Sequence, residues 1–263
     1  MLKHFLNPPN WFTSASIFCG FYAILLAAGN PGDPHVFYQA GLLIIFAGVF
    51  DVLDGRVARL TGGGSEFGIQ LDSLADVVSF GLAPAVLVYS WGLDALGPLG
   101  LMASFFFVLC GAFRLARFNV SAQDTATPKD ISQGLAITMA GGTLAAMVMF
   151  HAATGRTFVR NPWGPLAITV VMSMLMVSDV PYRAVNKMRF SLMAKVAFAL
   201  FLASFIVVGV FYDISYFVLP VGMIYALSGP VDALLGVPRR HRARRRERIL
   251  AAKRDVYMED EEG

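Results

Sequence analysis

Apolar residues run in long blocks over the first 238 positions, broken by short polar links, and the blocks have the length of helices that cross a bilayer. A span needs roughly 17–25 mostly apolar residues. Eight segments answer to this: 11–28, 36–60, 69–91, 97–118, 133–153, 162–178, 192–211 and 214–230. The links hold helix breakers, among them Asn30-Pro31-Gly32, Gly62-Gly63-Gly64, Gly97-Pro98 and Asn161-Pro162. The pattern predicts an all-α fold, a polytopic membrane helical bundle of about eight transmembrane helices. With no repeat of fixed period and no long polar region, residues 1–238 read as one transmembrane domain and 239–263 as a tail.

Composition agrees. Of 263 residues 56% are hydrophobic and 15% charged, against about a quarter charged in soluble domains. The net charge of +3 says less than where the charges fall. With the N-terminus in the cytoplasm, 19 of the 21 Lys and Arg residues lie on the cytoplasmic side, and only Arg156 and Arg160 lie outside. Eight spans then leave both termini cytoplasmic, whereas seven would strand the basic tail on the wrong side. Residues 1–10 carry one Lys and two Pro, unlike a signal-peptide n-region, so the first stretch reads as a retained span. The run from Arg239 to Arg254, directly after a span, suits anionic lipid heads rather than nucleic acid. It is followed by the acidic Asp255, Glu259, Asp260, Glu261 and Glu262. Cys19 and Cys110 fall in apolar segments as packing residues. His4, His35, His151 and His241 fall on predicted ends and links and read as interfacial polar residues.

One segment breaks the apolar pattern with acids. Asp51 and Asp54 end the second span, and Asp72 and Asp76 begin the third. Charge is expensive there. The spacings i,i+3 and i,i+4 put each pair on one helix face. Gly55 and Ala58 continue the first face and Gly68 the second, small residues that let helices approach or leave room for a ligand. Four converging carboxylates repel one another, and hard divalent cations such as Mg²⁺ resolve this, commonly sharing oxygen ligands with substrate phosphates. Two such ions can clamp both the attacking and the leaving oxygen of a phosphoryl displacement. Arg59 is placed to pair with a phosphate, and the glycine-rich loop from Thr61 to Glu66 has the composition to close over a nucleotide. Two other readings compete: ion pairs with Arg56, Arg59, Arg114 and Arg117, or a proton or cation pathway through a transporter.

The stretch from Asp51 to Asp76 resembles the signature of the CDP-alcohol phosphotransferase family, D-x2-D-G-x2-A-R-x8-G-x3-D-x3-D, at every fixed position. The resemblance implies a six-helix membrane core with a polar cavity facing the cytoplasm, a CDP-linked lipid donor and release of CMP. It also implies two divalent cations, Mg²⁺ or Mn²⁺, on Asp51, Asp54, Asp72 and Asp76, with Asp76 also the general base. Gly55, Ala58, Arg59 and Ser65 match donor-binding positions. Asn10 and Thr13, before the first span, match more loosely and read equally as a helix cap. Within the family the run from Asp72 to Gly81 resembles the phosphatidylserine synthase branch. Phosphatidylglycerophosphate synthases usually have proline and lysine where this chain has Ser73 and Val77. The segment from Phe113 to Asn119 is also similar to that branch, which often has Gly-Leu-Pro where this chain reads Gly134-Leu135-Ala136. The implied donor and acceptor are CDP-diacylglycerol and L-serine, with glycerol 3-phosphate or inositol as alternative acceptors. Arg114 and Arg117 are candidates for the serine carboxylate, which arginine binds in a bidentate way; their other reading is snorkelling to anionic lipid. The resemblance further implies a homodimer in the inner or plasma membrane of a bacterium, and Gly134, Gly141 and Gly142 are candidates for a helix interface.

Overall fold

Proline opens three of the helices, where its missing N–H costs nothing, in a computed structural model that describes residues 8–30, 32–60, 65–123, 131–155, 159, 161–183 and 213–234. Helix α1 spans Pro8–Gly29, α2 Pro34–Leu60, α3 Glu66–Leu96 and α4 Pro98–Gln123. Helices α5 (Ile137–Ala153), α6 (Trp163–Val177) and α7 (Ser215–Leu234) follow. Six of the predicted spans thus coincide with α1 to α6 and the last with α7, while the segment 192–211 and the tail lie outside the described residues. Five helices, α1 to α4 and α7, are long and apolar enough to cross a membrane; α5 and α6 are shorter, at 17 and 15 residues. Large apolar side chains such as Phe18, Phe21, Leu25, Leu101, Met102 and Phe105 cover the outside. Water would penalise that surface and lipid does not. The chain is an integral membrane protein built as an all-α bundle.

Helix α5 is the axis. Most of its residues are buried, including Ile137, Leu144, Val148 and Met149, as expected of a helix apolar all round. Helices α2, α3 and α7 pack on it, α1 packs along α2, and α6 packs along α4. Contacts sort the helix ends into two sets. At one end the start of α1 meets the end of α2 through Thr13 and Asp54, and α3 meets α4 through Ser73 and Asn119. At the other, Trp91 donates to His151 Nδ1 at 3.2 Å and the Phe150 and Tyr216 rings lie 4.9 Å apart.

Two features escape a reading of apolar periodicity. Helix α3 widens into π turns at Val77–Leu82 and Tyr89–Leu93, on either side of the segment holding Pro84. The proline cannot donate to the turn before it, and π turns are a usual accommodation, often at functional sites. The first begins directly after Asp76. The second feature is a two-stranded antiparallel ribbon, β1 (Ile131–Gln133) with β2 (Pro181–Arg183), pairing Ser132 with Tyr182.

The ribbon belongs to a device that finishes α6. A helix leaves its last carbonyls without internal partners. Here the Leu135 N–H donates to Leu175 O at 3.0 Å, and the Arg117 guanidinium donates to the carbonyls of Met176, Val177 and Ser178 at 3.0–3.3 Å. Gly134 makes this possible. Its φ is +77°, and a Cβ there would strike the Met176 carbonyl. Two of the glycines expected at a helix interface are therefore occupied within the chain: Gly134 in this cap, and Gly141 against the Phe80 backbone.

Candidate functional site

The acids stand where two helix ends meet. Asp51 and Asp54 lie in the last turns of α2. Ser65 caps α3, its Oγ accepting from the Gly68 N–H at 3.0 Å, so the chain re-enters helix in time to bring Asp72 and Asp76 round to α2. One carboxylate oxygen each from Asp51, Asp72 and Asp76 lies within 4.8 Å of the others. Asp54 is 7% exposed and accepts from Thr13 Oγ1 at 2.9 Å. Asp76 is 9% exposed.

Charges this close cost energy. Two carboxylates about 4 Å apart repel by roughly 4 kcal/mol at an effective dielectric of 20. Ion pairing does not relieve it: among the described residues no ion pair joins any of the four acids, and Arg117 pairs instead with Asp179, at 3.3 Å. The reading of the acids as partners of Arg56, Arg59, Arg114 and Arg117 therefore finds no support in the geometry. Three carboxylates, Asp76 buried and Asp51 and Asp72 half-buried, with no paired cation among the described residues, are a donor set that could coordinate a hard divalent ion.

The small residues separate into two roles. A Cβ on Gly55 would meet nothing within 4 Å, so the helix face beside Asp54 opens onto free space. A Cβ on Gly68 would stand 3.3 Å from Ser65 Oγ and 3.5 Å from Asn10 Oδ1, so that glycine lets α3 approach α1. Ala58 is half-buried on the Gly55 side, and Arg56 and Arg59 are exposed. Asn10 and Thr13 lie inside α1 and are buried; Thr13 Oγ1 donates to Asp54 at 2.9 Å and also reaches the Pro9 carbonyl one turn back, at 3.2 Å. One turn beyond Asp76, Ser79 Oγ donates to Ser16 O at 2.9 Å and Gly20 lies against Ser79, which binds α1 to α3.

The two α4 arginines also part company. Arg117 is spent on the end of α6, and its Nη2 donates in addition to Gln133 O at 3.0 Å. Arg114 faces inward within electrostatic range of Asp76, with its Cζ 5.2 Å from the Phe118 ring centre and its buried Nε without a partner. Asn119 Nδ2 donates to Ser73 Oγ at 2.8 Å, so the two segments that resembled one branch of a family touch beside the acids. Sequence reasoning missed Tyr225, on α7 within electrostatic range of Arg114. Its ring lies 5.6 Å from that of Tyr182, whose hydroxyl donates to Ala226 O at 2.9 Å and whose ring fills the notch at Gly229. Burial pushes the Tyr182 phenol up to about 12, which keeps it a donor. A polar aromatic inside an apolar span was the one signal Tyr225 offered.

Comparison with known proteins fits this geometry. Residues 6–226 match the profile described as CDP-alcohol phosphatidyltransferase. The chain is 36% identical over 206 residues to the CDP-diacylglycerol–serine O-phosphatidyltransferase of Helicobacter pylori, covering 75% of this chain and 82% of that one. It is 30% identical over 235 residues to the protein of the same description from Methanocaldococcus jannaschii, covering 89% and 98%. It is 33% identical over 191 residues to the archaetidylserine synthase of Methanothermobacter thermautotrophicus, covering 71% and 74%. With the acids of α2 and α3 gathered at one membrane edge and the match running through six of the seven described helices and into α7, this chain belongs to the CDP-alcohol phosphatidyltransferase family.

Proposed function

We propose that the protein transfers the phosphatidyl group of CDP-diacylglycerol to the hydroxyl of L-serine and releases CMP, at a site holding two divalent cations on Asp51, Asp54, Asp72 and Asp76. The observation that carries this reading is the approach of three of those carboxylates to within 4.8 Å beside the open face of Gly55. Divalent ions bound there would neutralise the donor's diphosphate and lower the pKa of the attacking hydroxyl. The chain's own residues do the rest. Gly55 and Ala58 leave room for the cytidine diphosphate, and Arg59, one turn beyond Gly55, and Ser65, at the start of α3, are the side chains we assign to contact it. Asn10 and Thr13 brace that wall, Thr13 by orienting Asp54. Asp76, the most deeply set of the three clustered acids, takes the proton of the serine hydroxyl. The serine oxygen then bonds to the phosphorus that carries the diacylglycerol, and the bond to CMP breaks.

Serine as acceptor is supported by Arg114, a cation at the inner edge of the acids suited to a carboxylate, and by relatives described as serine transferases. Arg56, Arg59, Arg114 and Arg117 all lie toward the acid end of the bundle, which supports a site facing the cytoplasm. The decisive assay offers purified protein CDP-diacylglycerol with serine, glycerol 3-phosphate or inositol and measures CMP. Release with serine alone is expected; release with another acceptor alone would move the assignment to that alcohol. Ion or solute flux into liposomes without CDP-lipid would favour a transporter instead. Asp76→Asn should abolish CMP release in a folded protein, and near-normal turnover would remove the general-base role. Arg114→Ala should raise KM for the alcohol more than for the CDP-lipid.

A further inference from the structure

Helix α1 touches both acid helices with one face. Thr13 Oγ1 donates to Asp54 on α2 at 2.9 Å, and three residues on, Ser16 meets Ser79 on α3, a spacing that puts both contacts on the same side of a helix. The second contact is doubled. Ser79 Oγ donates to the Ser16 carbonyl at 2.9 Å and accepts from Ser16 Oγ at 3.3 Å. Both serines are buried, and the helices run so close that a Cβ on Gly20 would stand 2.7 Å from Ser79 Cα. Ser79 lies inside the first π turn, where the Ala83 N–H donates five residues back to Val78 O. Pro84 follows with no N–H to offer the Phe80 carbonyl. From the other side Gly141 admits the Phe80 backbone, so the widened turn is gripped between α1 and α5.

A π turn holds one residue more than an α turn. Beyond it Ala83, Leu87 and Val88 are fully buried and fix the far part of α3. Wound as α throughout, the helix would carry Asp72 and Asp76 round by one residue, about 100° and 1.5 Å. At a side-chain radius of about 5–6 Å, that rotation displaces a carboxylate by roughly 8 Å. The three acids gather within 4.8 Å, so the displacement would take two of them out of the cluster. We propose that Ser79 is a positioning residue for phosphatidyl transfer: its bond to the α1 backbone holds the π turn and so keeps Asp72 and Asp76 rotated onto Asp51. The inference rests on the metal-binding reading above and deepens it. Helix α1 is then the strut between the two acid pairs, with Thr13 setting the α2 side and Ser79 the α3 side.

The test measures Mn²⁺ binding to purified full-length protein by electron paramagnetic resonance of the free ion, beside melting temperature and CMP release. Ser79→Ala removes the hydroxyl without adding volume. It should weaken Mn²⁺ binding about tenfold and raise the Mn²⁺ concentration for half-maximal CMP release by the same factor. Ser16→Ala loses only the 3.3 Å bond and keeps the carbonyl that Ser79 uses, so its Mn²⁺ affinity should stay within about twofold of wild type. Val148→Ala truncates the core toward the end of α5 far from the acids; it should lower the melting temperature and leave Mn²⁺ affinity unchanged. Wild-type Mn²⁺ affinity in Ser79→Ala would overturn the positioning role, and so would an equal loss of affinity in Ser16→Ala or Val148→Ala. Wild-type protein that binds no Mn²⁺, or binding that survives Asp51→Asn with Asp72→Asn, would instead remove the metal site, and that result appears before Ser79 is changed.

Discussion

Gly55 and Gly141 offer a paired test, because alanine should act on them in opposite directions. Both lie inside helices, and neither has the positive φ that alanine resists. Replacing a helical glycine by alanine is worth about 0.5–1 kcal/mol where space allows. At Gly55 a Cβ meets nothing within 4 Å, so the fold should gain that amount, roughly 1–3 °C in melting temperature for a chain of this size. At Gly141 the Cβ would strike the Phe80 carbonyl, and overpacking of that kind costs about 1–3 kcal/mol, a net loss. Turnover should run the other way at Gly55. If the space beside it receives the donor's diphosphate, the added methyl pushes the phosphorus out of line, and a shift of about 1 Å costs on the order of 100-fold. Melting in one detergent, with CMP release measured against CDP-diacylglycerol concentration, reads both effects. Wild-type kcat/KM in Gly55→Ala would refute the placement of the donor. A melting temperature lowered as far as in Gly141→Ala would refute the claim that the space is free.

Three further outcomes follow from the geometry. Chelation should lower the melting temperature and Mg²⁺ or Mn²⁺ restore it, by about 2.7 kcal/mol at a hundredfold excess over Kd. Asp51→Asn with Asp72→Asn should abolish that gain without destabilising the metal-free protein, since it removes like-charge repulsion; a gain that persists would place the ions elsewhere. Thr13→Val should lower kcat/KM about tenfold by removing the donor to Asp54, and Thr13→Ser should recover it. Failure of the serine variant to recover would assign the effect to packing. Arg117→Ala should cost about 1–3 kcal/mol, chiefly by leaving the part-buried carbonyls of Met176 and Ser178 short of a donor. Asp179→Ala, at a side chain 89% exposed, should cost little, and equal losses in a melting experiment would refute the capping role.

The two α4 arginines show how far sequence reading reached. Lying three residues apart in a similar context, Arg114 and Arg117 read alike as acceptor residues. In the bundle Arg117 meets the end of α6, about sixty positions away, while Arg114 lies over the Phe118 ring with its Nε buried and without a partner. Asn10 and Thr13 likewise read equally as cap or ligand, and the contact that distinguishes them, Thr13 with Asp54, spans 41 positions. The π turns of α3 and the ribbon were not legible, because three-residue strands and a widened turn leave no mark on apolar periodicity.

By itself the sequence determined what depends on near neighbours and on solvent. Blocks of apolar residues of bilayer length require helices, because backbone groups in lipid must pair within their own segment. Acids spaced by three and four residues must share a helix face, whatever the helix packs against. That was enough to single out Asp51, Asp54, Asp72 and Asp76. Tertiary structure decided what those faces meet. It left Gly55 open and Gly68 closed, two glycines that the signature treats alike. It spent Arg117 on a helix end and left the Arg114 Nε buried without a partner. The physical reason is range: helical geometry is set within one or two turns, whereas the partner of a side chain depends on how separate helices pack.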